Sequence, residues 1–172
     1  MSDIEARITA LEDIAAIERL KYDYFFFCDH KQPEHVRECF AEGQVHIDYG
    51  RIGVYTDREQ LVDIFSQLAC AEHIVEMHHA QNPRIDLLDS THAKGLWSLY
   101  YFMIDTKQKV ATQLGGYYDD KYQKIAGQWK MTATTFHVTS TQLMDVGDAM
   151  AKIIFAGRNA PAELDDPSKQ AG

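Results

Sequence analysis

The chain has 172 residues, 45% hydrophobic and 25% charged, which suits one folded soluble domain and excludes a disordered tail or a collagen-like fibre. No apolar run reaches the roughly 18 residues needed to cross a bilayer. Lys plus Arg number 17 against 26 for Asp plus Glu, a net charge of −9, so neither nucleic acid nor an anionic membrane surface is an expected partner.

In chain order, Ser2 and Glu5 have capping-box spacing and open a helix at Asp3. Ile4, Ile8, Leu11 and Ala15 share one helical face, whereas Leu20, Tyr24, Phe27 and Cys28 lie about half a turn away. The change of face predicts a short helix over residues 3–10 and a longer one over 12–29, with the leading piece available for a subunit contact. Pro33 starts a short helix over PEHVRECF. Residues 44–49 alternate as a strand ending in a turn from Gly50 to Gly53, and Thr56 with Glu59 repeats the capping-box spacing before DREQLVDIFSQLAC. Segments 73–88, 92–104, 109–124 and 128–141 are rich in Val, Ile, Thr, Trp and Tyr and are separated by turn residues, which predicts four strands joined by hairpins. Gly115-Gly116 marks a bend or bulge. Leu143, Val146, Met150, Ile153 and Ile154 form a helical stripe, and the end, PAELDDPSKQAG, reads as disordered.

Helices followed by a run of strands give an α+β fold. A curved antiparallel sheet wrapped around the long N-terminal helix would leave a cavity open at one end. The expected organisation is one domain over residues 1–158 and a tail over 159–172.

Aromatic residues make up 11% of the chain, with nine tyrosines and eight histidines, a composition that favours a pocket for a small hydrophobic or aromatic molecule. Cys28, Cys39 and Cys70 form no CxxC and leave an odd one over. They read as reduced core residues of a cytoplasmic protein, and the acidic start MSDIEARIT lacks an apolar signal core.

Three clusters are candidates for chemistry. His78-His79, followed by Asn82-Pro83, sits on a strand, where alternation allows only one of the two imidazoles into a given cavity. Both could equally be sheet residues or lie at a subunit contact, and opposite-face neighbours cannot chelate zinc together. Tyr22, Tyr24, Asp29 and His30 cluster at the end of the first helix. Tyr24 and Asp29 are some ~140° apart on an ideal helix, so both reach one pocket only if the helix ends before Asp29 or the pocket spans two faces. Tyr49 closes the first strand, and His137 lies on the last strand with Thr132, Thr134 and Thr135. GxSxG, GxGxxG, P-loop, HExxH and EF-hand patterns are absent, and neither a cofactor nor a metal is expected.

AIERLKYDYFFFCD, EMHHAQNPRI and GGYYDDKYQKIAGQWK carry a resemblance over roughly residues 8–145. The chain resembles the SnoaL-like branch of the nuclear transport factor 2-like superfamily, which contains scytalone dehydratase and bile acid 7α-dehydratase. The resemblance implies a catalytic Tyr24, Asp29 and His78, with Tyr49 of HIDY as a pocket tyrosine. Asn82, Gln113, His137, Phe136 and Trp97 are the candidate substrate contacts. Gln113 stands near a second pocket histidine of scytalone dehydratase, Cys28 near one of its tyrosines, and Val138 at an arginine of the bile acid enzymes.

The implied activity is dehydration of a small hydrophobic cyclic or aromatic hydroxy-carbonyl compound. His78 would move the proton, Asp29 would orient it, and Tyr24 and Tyr49 would donate to the carbonyl oxygen. Carbon–carbon cleavage of aromatic diols, isomerisation, cyclisation and non-catalytic ligand binding are the alternatives. A homo-oligomer is expected because LWSLYYFM needs cover, with a trimer favoured by the resemblance and a dimer next. The C-terminal stripe is expected to cover the pocket mouth or a neighbouring subunit.

Overall fold

The computed structural model describes residues 3–147. Helix α1 (Asp3–Asp29) is followed by α2 (Pro33–Glu38), β1 (His46–Asp48), β2 (Val54–Tyr55) and α3 (Arg58–Leu68). Four long strands complete the fold: β3 (Ile74–Leu87), β4 (His92–Asp105), β5 (Val110–Ile125) and β6 (Gln128–Asp145). The six strands form one open sheet in the order β2-β1-β6-β5-β4-β3. Its pairs are antiparallel except β1 with β6, so the sheet is mixed rather than wholly antiparallel. β1, from the helical half of the chain, pairs with β6 at the edge of the meander, His46 opposite Ala133 and Asp48 opposite Thr135.

The start of the chain departs from the expected two helices. α1 is continuous, and its buried residues Asp13, Ile17, Lys21, Tyr24, Phe25 and Cys28 define one stripe at spacings of three and four. Ile4, Ile8 and Leu11 are 65%, 50% and 67% exposed, so the leading apolar face extends past the sheet instead of starting a separate helix. Ser2 lies outside the described residues. The cap of α3 is shifted by one residue from the expected pair. Asp57 is the N-cap and accepts from the Gln60 amide at 2.9 Å, while Gln60 Oε1 accepts from the Thr56 amide at 3.0 Å.

The four long strands fall within a few residues of their expected bounds. The β5–β6 turn places Ala126 and Gly127 at φ 49° and 82°, the two left-handed positions of a tight hairpin. The β5–β6 register shifts between Gly115 and Gly116. A Cβ on Gly116 would stand 2.4 Å from the His137 carbonyl oxygen and 2.7 Å from the Phe136 ring, so only glycine permits this approach. β6 runs on to Asp145, and Leu143 pairs with Thr112. Leu143 is therefore a strand residue, not the start of a helical stripe. Val146 follows β6, its amide donating to the Lys109 carbonyl at 3.0 Å, and residues 148–172, with Met150, Ile153 and Ile154 of that stripe and the expected tail, lie outside the described residues.

Candidate active site

Alternation along the long strands sends one set of side chains towards α1. Glu76 and His78 of β3, Leu99, Tyr101 and Met103 of β4, and Leu114 and Tyr118 of β5 all line a cavity of about 300 Å³. α1 contributes Tyr24 and Cys28, β6 adds Phe136, and α3 closes one side with Leu61, Ile64 and Phe65. Tyr49 completes one end. The lining is mostly apolar, and its polar groups fall into two sets.

The first set is built on His78. Its ring Nδ1 lies 2.6 Å from Asp29 Oδ1, and its backbone amide donates to Asp29 Oδ2 at 3.1 Å. One carboxylate thus fixes both the strand position and the ring. Asp29 is the last residue of α1, where the helix end frees its side chain to reach β3 while Tyr24, five residues earlier, faces the cavity. The imidazole is stacked on Phe25 at 5.2 Å and 10°, and the Tyr101 ring lies at 4.7 Å. With Nδ1 engaged by Asp29, Nε2 is the nitrogen free for a ligand. His79 is exposed on the opposite face, 6.4 Å from Tyr100.

The second set is the tyrosine pair. Tyr24 and Tyr49 hydroxyls are 2.7 Å apart, so one donates to the other and the second proton remains available. Burial pushes both phenols well above their usual range, and neighbouring Cys28 adds to the effect. Both therefore stay protonated as donors. Tyr118 beside them is raised for the same first reason.

Of the other expected contact residues, only Phe136 lines the cavity. Asn82 is exposed with φ 51° where the β3 register shifts between Gln81 and Arg84. Gln113 pairs with Phe102 and Gln142 on the face opposite Leu114. His137 is exposed and stacks on Tyr117 at 4.7 Å. Neither of these two lines the cavity, because each is one residue out of phase with a lining residue. Trp97 is in phase but lies deeper, fully buried, with its indole N–H donating to Tyr122 at 2.8 Å. Tyr22 is on the exposed side of α1, and His30 is turned outward onto Phe26 at 3.9 Å. Cys28 and Cys39 are buried, whereas Cys70 is only partly so.

Sequence reasoning missed two charged pairs. Lys21 Nζ sits 2.8 Å from Asp120 with both side chains fully buried, and it lies 3.9 Å from the Tyr118 ring centre. Burial depresses the lysine, and Asp120 opposes that shift. The signal was spacing: Lys21 falls on the Ile17–Tyr24–Cys28 stripe, and Asp120 is in phase with Tyr118 and Tyr122. The other pair joins Lys31 to Glu76, which also accepts from the Tyr101 hydroxyl at 2.8 Å. Among the described residues no cluster of three or more His, Cys, Asp or Glu could hold a metal ion, and no helix is long and apolar enough to cross a membrane.

A long N-terminal helix laid on an open mixed sheet, with an apolar cavity between them, defines the nuclear transport factor 2-like α+β class. Within it, the sequence profile of the SnoaL-like domain matches residues 9–135, and the chain belongs to that family. The structure is similar to a candidate scytalone dehydratase from Novosphingobium aromaticivorans DSM 12444, with 26% identity, 88% of this chain and 99% of the other covered, and a TM-score of 0.74. It is also similar in fold to the hexachlorocyclohexane dehydrochlorinase LinA-type3 from Novosphingobium barchaimii LL02, at 15% identity, coverages of 86% and 98%, and a TM-score of 0.74. A cystatin-like protein of unknown function from Nostoc punctiforme PCC 73102 shares the fold at 18% identity, coverages of 73% and 90%, and a TM-score of 0.58.

Proposed function

We propose that the protein is a cofactor-independent hydro-lyase acting on a small hydrophobic cyclic or aromatic hydroxy-carbonyl compound. The observation that carries this reading is the Asp29-bound imidazole of His78 on the wall of an apolar cavity that also holds the Tyr24–Tyr49 pair. The cavity of about 300 Å³ is at the lower end of the range for small-molecule sites, which fits a compact ring compound.

The groups divide the work by their chemistry. The carbonyl oxygen accepts from the tyrosine pair, which stabilises the enolate as the alpha proton leaves. A preorganised donor of this kind can be worth roughly 3–4 kcal/mol. His78 Nε2 takes the alpha proton, and Asp29 stabilises the imidazolium through Nδ1. The imidazolium then returns a proton to the departing hydroxyl, so water leaves, a carbon–carbon double bond forms, and His78 is neutral again. Nothing is oxidised or reduced. The relative at 26% identity named as a candidate scytalone dehydratase supports this reaction class.

The remaining proposals concern setting. Two buried free cysteines fit a reducing, cytoplasmic location, and the partly apolar outer face of the sheet fits a homo-oligomer, a trimer before a dimer. Incubation with a panel of cyclic and aromatic β-hydroxy ketones, followed by ultraviolet absorbance, tests the reaction. A conjugated enone should appear from free alcohols. Binding of these ketones without any product, at saturating concentration and across pH 5–9, would replace the lyase reading with a binding module.

A further inference from the structure

We propose that Lys31 is a positioning residue that cancels the charge of Glu76 beside His78 and so keeps the imidazole free to accept a proton. The proposal rests on the hydro-lyase reading for its role in turnover, but its geometry stands apart from that reading.

Lys31 follows α1 in the left-handed region, with φ 55°, a conformation that disfavours any residue with a β-carbon and usually falls to glycine. The helix end is a complete Schellman motif: the Gln32 amide donates to Phe27 O at 2.9 Å and the Lys31 amide to Cys28 O at 3.1 Å. Glycine would serve that backbone better. What lysine adds is its side chain, which is only 5% exposed and ion-paired with Glu76, itself 11% exposed. A strained residue that persists for its side chain directs attention to what the side chain does.

Glu76 and His78 are two apart on the cavity face of β3, and Asp29 and Lys31 are two apart at the end of α1. The Asp29–His78 and Lys31–Glu76 pairs therefore form two rungs between the same two elements. The titratable groups around His78 are Asp29, Lys31, Cys28 and Tyr24 from α1, Glu76 from β3, Tyr101 from β4, and Tyr49 and Tyr118 across the cavity. Two of these are carboxylates. Left uncompensated, both would favour imidazolium, which cannot act as a base. Lys31 offsets one, and the Tyr101 hydroxyl holds the same carboxylate in place.

Lys31→Gly removes the cation and relieves the backbone. The unpaired, mostly buried Glu76 carboxylate should lower its melting temperature while leaving it folded at 25 °C, and the acidic limb of its kcat/KM profile should move up by about one unit, lowering kcat/KM below that limb about tenfold. Lys31→Arg should keep the original profile. Lys31→Gly/Glu76→Gln should restore it, because the charge and its counter-charge leave together. The His78 ring titration, followed by NMR in ligand-free protein, should show the same displacement and the same restoration. That readout needs no substrate, so failure of the lyase reading leaves the inference measurable. An unmoved His78 titration in folded Lys31→Gly would overturn it, as would a displacement that Glu76→Gln does not reverse.

Discussion

The two faces of the sheet carry similar side chains and different chemistry. On the inner face His78 lies 4.7 Å from Tyr101, and on the outer face His79 lies 6.4 Å from Tyr100 and His137 stacks on Tyr117 at 4.7 Å. An imidazole beside a tyrosine thus occurs three times, once in a candidate site. The difference is supplied from outside the sheet. α1 brings Asp29 to His78, stacks Phe25 on its ring, and encloses the cavity with α3. The outer histidines have no such carboxylate and remain exposed to water. A site here is made by the helix that covers one face, not by the residues of the strand alone.

The largest expected effect tests that difference directly. His78→Ala should lower turnover by about 10²–10⁴, while His79→Ala, one residue along the same strand, should leave it unchanged. Thermal melts of both proteins separate chemistry from folding. Equal losses of activity and stability in His78→Ala would reduce His78 to a packing residue and erase the contrast between the faces.

The next effect is on stability. Lys21 and Asp120 join the buried stripe of α1 to the inner face with both side chains fully buried. Lys21→Met keeps the packing but leaves Asp120 charged and uncompensated, which should cost about 3–5 kcal/mol in urea unfolding. Lys21→Met/Asp120→Asn should recover most of the loss. A small effect in the single variant would mean that the carboxylate finds water, and that the inner face under α1 is wetter than its enclosure suggests.

The contrast between faces also explains what was legible in the sequence. The four long strands were readable because β-branched and aromatic runs end at Asp89-Ser90, Thr106-Lys107 and Ala126-Gly127, and tight turns leave little choice of register. Alternation put His78 and His79 on opposite faces, and the resemblance, not alternation, chose His78. Gln113 and His137 stand outside the cavity because each is one residue out of phase with a lining residue, Leu114 or Phe136. The single helix was missed because exposed Ile4, Ile8 and Leu11 imitate a second buried face. Lys21, Glu76 and Asp120 stand at buried spacings, but spacing alone does not show that a charge is paired. A charged residue on a buried stripe looks like an exposed one until its partner, 99 residues away for Lys21 and Asp120, is known.

The outer face should respond in assembly rather than in the chemistry of one subunit. Met77, Tyr100 and Tyr117 are 45%, 40% and 40% exposed there, and an oligomer would cover them. Tyr100→Asp/Tyr117→Asp should shift the protein towards monomer in light scattering with little change in the unfolding midpoint of the separated chain. A wild-type protein that is monomeric at every concentration would leave the outer face simply solvated.

The smallest effect distinguishes the two acids that tie the buried half of α1 to the sheet. Asp29 reaches His78 at one end, and Asp13 at the other accepts from Lys124 at 2.6 Å and from the Trp129 indole at 2.9 Å. Burial pushes the Asp13 carboxyl up, but its bonds to Lys124 and Trp129 outweigh that and hold it below the usual range. A carboxylate lowered in the folded state adds stability above its unfolded pKa of about 3.9, and that stability is lost as pH falls through the folded value. Asp13→Asn should therefore be less stable than the wild type at pH 6, by about 1 kcal/mol or less for a partly exposed pair. The gap should start to narrow near pH 4 and close only as pH falls through the lowered folded value, where the wild-type carboxyl also becomes neutral. Its kinetics should not move, because Lys124 and Trp129 touch neither the cavity nor His78. Asp29→Asn should do the reverse, losing turnover through a misoriented imidazole with a smaller change in stability. If Asp13→Asn also lowered turnover, the helix would be transmitting its anchorage to the site, and the two ends of α1 would have to be treated as one device.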